Sequence, residues 1–170
     1  MAEAVYTPQE VVEVYFVASG GITSLTAPSA AELNAGTRIT DYLTDGPPNP
    51  AGANFVNAGT LASGFEAQAA STYGGGSGTM TVLSKRDDTT TDASADDAFS
   101  LFPRGTLGYL VVAPYGVGGA SNEFAADDVV SIYSIEVANR GKTISRGQLV
   151  VCPIDIAFNA VPNENVTCVA

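Results

Sequence analysis

The chain has 170 residues, 45% of them hydrophobic and only 15% charged, with 18 acidic residues against 7 basic ones for a formal net charge of −11. That length suits one domain burying roughly 70% of its unfolded surface, and a second full domain does not fit. The acidic balance repels phosphate backbones and anionic membranes, the absence of histidine removes Ser-His-Asp, Cys-His and histidine–zinc chemistry, and no stretch reaches the roughly 20 apolar residues of a membrane helix.

In chain order, the opening MAEAVYTPQE carries acids where a signal peptide carries basic residues, so the chain is read as made and kept in a cytoplasm, with residues 1–10 an arm that orders on assembly. Alternation and β-branching predict a strand over 11–17 (VVEVYFV). Ser29 then caps a short helix, Glu32 completes a capping box and Gly36 terminates it. Residues 40–60 hold three prolines and three glycines with little periodicity, which predicts a long excursion. Gly74 to Gly78 (GGGSG) reads as a hairpin tip before a strand over 79–83. The polar tract 85–95 leads into a second helix from Ser94, with Asp96 and Asp97 in its first turn, Phe99 and Phe102 on its apolar side and Pro103 stopping it.

Three further strands follow, over 108–113 (GYLVVA), 129–137 (VVSIYSIEV) and 148–158 (QLVVCPIDIAF). Pro153 lacks a backbone donor, which places the last of these at a sheet edge or at a bulge. Residues 163–170 are read as a second arm ordering on assembly. Cys152 and Cys168 are sixteen apart without a CxxC pattern, so they are expected as small buried core residues. The whole predicts one domain over 1–170, a mainly antiparallel β-sandwich or barrel flanked by one or two short helices.

Candidate chemistry is sparse. Gly141-Lys142-Thr143 ends like a phosphate loop, but Glu136 stands where the motif requires glycine, so a turn between strands is the simpler reading. The glycine cluster has no helix behind it to cradle an anion. Asp87, Asp88, Asp92, Asp96 and Asp97 are hard oxygen donors without the ligand spacing of a calcium loop. Carboxylate pairs for glycoside chemistry lack a tryptophan to stack the sugar, and Asn165-Val-Thr167 is a glycosylation sequon only in a secretory pathway. The reading is a structural, non-enzymatic protein with no cofactor and no metal.

Four stretches carry a resemblance: VVEVYFVA at 11–18, APSAAELNAGTRITDYLTDG at 27–46, FSLFPRGTLGYLVVAPYG at 99–116 and DDVVSIYSIEVANR at 127–140. Together they resemble the major tail tube proteins of long-tailed, non-contractile bacteriophages, particularly those of actinobacteria. The chain departs from that pattern after Tyr115, where GVGGASNEFAADD replaces a more basic, arginine-containing loop. The resemblance implies a helix-flanked β-sandwich whose sheet extends across subunits into hexameric rings, stacked into a tube inside the virion tail and assembled in the host cytoplasm. It implies as partners further copies of the chain and the tail tip or initiation, tape measure and tail terminator proteins, with DNA passing through the tube unbound during ejection. Glu13, Glu136 and Asp155, acids within strand patterns, are candidates for the lumen wall. Asp45, Pro47, Phe55, Lys85, Arg86, Asp87 and Asp88 are candidates for reaching the next ring. Two rivals are another virion β-sandwich, such as a head decoration or fibre-anchoring protein, and a receptor- or carbohydrate-binding module, which the lack of tryptophan disfavours.

Overall fold

The strand patterns build one sheet. In the computed structural model, which describes residues 12–44, 46, 48, 53–58, 67–73, 76–84, 98–144 and 150–170, an antiparallel seven-stranded sheet runs in the order β2-β1-β6-β7-β8-β5, and β9 also pairs with β7. Its strands are β1 (Glu13–Ala18), β2 (Thr37–Arg38), β5 (Ser77–Ser84), β6 (Leu107–Ala113), β7 (Val129–Arg140), β8 (Val150–Phe158) and β9 (Asn163–Thr167). β3 (Ala53–Ala58) and β4 (Ala67–Tyr73) form a separate two-stranded sheet. The mainly antiparallel β expectation holds, and the five strands read from alternation appear as β1, β5, β6, β7 and β8.

The segment after β2 bridges the two edges of the curled sheet and closes it into a barrel. After β2 the chain crosses from β1 to β5: the Ile39 amide donates to the Val14 carbonyl at 2.9 Å, Leu43 bridges Val82, and the Thr44 amide donates to the Thr81 carbonyl at 3.0 Å. Alternate residues of β1, β5, β6, β7 and β8 therefore point into one enclosed core. Val14, Phe16, Met80, Val82, Leu110, Val112, Ile135, Val137, Cys152, Ile154, Ile156 and Phe158 fill it together with Ile39 and Phe102. Phe102 meets Phe16 edge-on with ring centroids 4.9 Å apart.

The opposite faces of β1, β6 and the first half of β7 bury a second core under the loops. Tyr15, Val17, Val111, Ala113, Val130 and Ile132 pack there against Ile22, Leu33, Phe124 and Cys168. Leu33 comes from α1 (Ala30–Asn34), whose capping box is present as expected: Ser29 Oγ accepts from the Glu32 amide, and Glu32 Oε2 accepts from the Ser29 amide. Gly36 ends that helix for a steric reason, since a Cβ there would lie 2.7 Å from Val17 Cγ2 and 2.9 Å from the Phe16 carbonyl oxygen. The loop that departs from the family pattern caps this core. Asn34 exchanges hydrogen bonds with the Phe124 backbone, and the Asp128 carboxylate accepts from the Gly118 and Ala125 amides.

Several expectations change. The excursion at 40–60 contains a 3-10 turn (Thr40–Tyr42) and β3, which pairs with β4. The glycine cluster at 74–78 is no hairpin tip, because it joins β4, whose partner is β3, to β5, whose partner is β8. Instead of an arm, residues 163–167 form β9 on β7, and Val169 bridges Ser29. β8 is internal, so the edge reading of Pro153 fails, and the bulge lies on neighbouring β7 between Val137 and Asn139. Pro153 stands one residue past the last β7 pair, where its carbonyl accepts from the Gly141 amide at 3.0 Å. A strand residue's N–H and C=O point the same way, so Pro153 leaves out a single bond, opposite Gly141, between the Arg140–Ile154 pair and the Thr143–Val151 bridge where the pairing resumes. The second helix is seen over 98–100 before Pro103, and its expected start at Ser94 lies outside the described residues.

Candidate functional site

Loops and α1 pack over the outer face of β1, β6 and the first half of β7. Among the described residues no hydrophobic cluster packs on the outer face of β5, β8 and the far end of β7, and in that sense this wall is bare. The registers fix its side chains, since directly opposed residues of an antiparallel pair share a face. Ile154 and Ile156 point into the core, so Pro153, Asp155 and Ala157 point outward. On β5 their outward partners are Thr81, Thr79 and Ser77. On β7 Glu136 opposes Ala157 and Asn139 opposes Asp155. Thr79 Oγ1 donates to Asp155 Oδ1 at 2.7 Å, and Asn159 Nδ2 donates to Glu136 Oε2 at 3.4 Å. This wall is a row of hydroxyls and amides carrying two carboxylates, whose residues take diagonal positions across the β7–β8 pair.

Glu13 stands elsewhere. It opposes Ala113 at one end of β6, whereas Glu136 opposes Leu107 at the other, a separation of about 20 Å along the strand. Its carboxylate is also occupied. Arg38 Nε donates to Oε2 at 2.7 Å and Arg38 Nη2 to Oε1 at 2.9 Å, while Thr40 Oγ1 donates to Oε2 at 2.6 Å. Arg38 reaches Asp41 with its remaining nitrogen. The hydrogen bonds to Glu13 drive the guanidinium's pKa further upward. The β1–β2 pairing, which sets Tyr15 opposite Arg38, brings this cation to Glu13 across 25 positions of sequence. The structure thus gathers two of the three expected lumen acids on one face and assigns the third to an ion pair that ties β1 to β2.

Of the loop residues expected to reach a neighbour, Phe55 lies in β3 opposite Ala70, next to a register shift. Asp45, Pro47, Lys85, Arg86, Asp87 and Asp88 lie outside the described residues. Sequence reasoning missed Thr79 and Asn139 as members of the bare wall; their signal was the strand parity relative to the buried isoleucines. It also missed a cluster at the end of β7. There Arg140 Cζ stands 4.5 Å and Lys142 Nζ 4.7 Å from the Phe99 ring centroid, and Arg140 Nη1 donates to the Phe99 carbonyl at 3.0 Å.

Gly141-Lys142-Thr143 is the turn it was read as, with Thr143 bridged to Val151. Both cysteines are buried and neither is in a disulfide, and burial, followed by the Asp128 carboxylate, pushes the Cys168 thiol up to about 11.

Among known proteins, the family model described as phage tail tube protein matches residues 1–170, the whole chain. No curated protein matches it.

Proposed function

The chain belongs to the phage tail tube protein family and is a structural component of a virion tail, and from that premise we propose that it forms stacked hexameric rings whose lumen is lined by the bare wall of β5, β8 and β7. The observation that carries this reading is the chemistry of that wall. It presents Ser77, Thr79, Thr81, Asn139, Glu136 and Asp155, and among the described residues no cation. A surface that repels phosphate and offers no fixed positive charge gives DNA nothing to adhere to, which suits a conduit for ejection.

The tube tip, tape measure and terminator proteins are its partners at the ends and in the bore, and further copies of the chain are its partners along the wall. β3 and β4, a two-stranded sheet too small to stand alone in water, carry Phe55 toward a neighbouring ring, assisted by the segments that hold Asp45, Pro47, Lys85, Arg86, Asp87 and Asp88. Stacking of this heterologous kind does not close on itself and so grows a filament.

The test uses a Glu136→Cys variant, since both native cysteines are buried. Purified protein is concentrated, hollow tubes are verified by electron microscopy, and tubes and monomers are treated with a small maleimide or one bearing a large polyethylene glycol chain. The expected result is labelling of monomers by both reagents and of tubes by the small one alone. Tubes that accept the large reagent as fully as monomers would place this wall outside the bore, and a protein that forms no tubes at any concentration would remove the proposal altogether.

A further inference from the structure

Strand β7 contains two glutamate- or arginine-bearing phases. With a strict period of two, Glu136, Ala138, Arg140 and Lys142 would all point the same way, and two cations would share the acidic wall. The structure does otherwise. Val137 opposes Ile156 and Asn139 opposes Asp155, so Ala138 is an extra residue in the ladder. Beyond it the phase is inverted: Asn139 joins Asp155 on the wall, while Arg140 opposes Ile154, whose side chain is in the core. Arg140 and Lys142 consequently turn to the end of the barrel, where both lie over the Phe99 ring. Phe99 in turn packs against the enclosed core and holds Arg140 through its carbonyl.

We infer that the β7 bulge at Ala138 sorts charge: it keeps Arg140 and Lys142 off the DNA-facing wall and sets the neutral Asn139 beside Asp155 in their place. This inference rests on the lumen reading above. Asn139 and the bulge are positioning elements here, and the cations they divert serve as a clamp on Phe99.

Two exchanges separate sorting from clamping. Asn139→Lys adds a cation to the wall and leaves the clamp intact. The pair Arg140→Gln with Lys142→Gln removes the clamp and leaves the wall unchanged. Each is supplied to a phage lacking its own tube protein, and DNA release from purified virions is timed at low and high salt. The expected result is release slowed about tenfold or more for Asn139→Lys and relieved by salt, as phosphate contacts are, with the double glutamine variant releasing DNA as wild type does while melting at a lower temperature. Wild-type release from Asn139→Lys virions would overturn the inference, as would slowed release from the double glutamine virions. The swap Asn139→Arg with Arg140→Asn gives a second reading of the same point should the single lysine prevent assembly. Maleimide exclusion at Glu136→Cys reports the lumen assignment separately, so failure there is distinguishable from failure of the sorting.

Discussion

Lysine at Glu13 and lysine at Glu136 make the same change of charge, yet the structure demands different outcomes. Glu13 is 13% exposed and Arg38 27%, and Arg38 and Thr40 together place three hydrogen bonds on the carboxylate. Removing one partner of a buried ion pair costs about 3–5 kcal/mol, while an exposed pair is worth about 0–1 kcal/mol. With Arg38 roughly a quarter exposed, Glu13→Lys is expected to cost about 2–3 kcal/mol, or about 4–12 °C in Tm for a chain of this length. Glu136 is exposed and receives one long hydrogen bond from Asn159, so Glu136→Lys should stay within about 0.5 kcal/mol of wild type. Urea unfolding of the unassembled protein followed by circular dichroism measures both. Equal midpoints for the two variants, at unchanged slope, would refute the assignment of Glu13 to the fold and return it to the wall.

Glu32 gives a pH-dependent counterpart. Hydrogen bonds from Thr23 and then Ser29 hold its carboxyl down to about 2, below the ordinary value of 4.5. A depressed folded-state value means that its contribution is complete above 4.5 and is lost as the pH falls from there toward 2. The Tm gap between wild type and Glu32→Gln should be full at pH 7 and shrink steadily as the pH falls from 4.5 toward 2; a gap as wide at pH 2 as at pH 7 would mean the glutamine fails for another reason. Gly108→Ala puts a Cβ 2.5 Å from Phe16 Cε2 and 2.7 Å from the Val17 carbonyl oxygen, inside a packed core, and should cost about 1–3 kcal/mol by thermal melting. A melting temperature equal to wild type would show that Phe16 can give way, which its contact with Phe102 argues against.

How much of this was legible in the sequence follows from what carries each element. The β1, β5, β6, β7 and β8 patterns alternate because one face of each fills the enclosed core, and that alternation is a local signal. β4 (AQAASTY) has a single β-branched residue and β9 (NENVT) opens on three polar residues without apolar alternation; their partners, β3 and Val129 to Ile132 of β7, make them strands, and pairing of this kind overrides propensity. The capping box was readable because Ser29 and Glu32 are three residues apart. The Glu13–Arg38 pair was not, because it depends on a register between strands. For the wall, acids inside strand patterns singled out Glu13, Glu136 and Asp155, of which the registers set Glu136 and Asp155 on one face, but the phase change at Ala138 has no local mark: Val-Ala-Asn-Arg reads equally well as continuous strand.

The two cysteines sit on opposite sides of the same sheet, Cys152 inside the barrel and Cys168 in the core beneath the loops. No rotamer change brings the sulfurs together, since a disulfide needs Cα atoms within about 7 Å and side chains that converge. Nor can either thiol reach a neighbouring copy while it is buried. The covalent skeleton of the protein is therefore the same in an oxidising medium as in a reducing one. Contacts between copies of such a subunit therefore draw on packing, hydrogen bonds and charge, with no sulfur bridge contributed by either thiol while it stays buried.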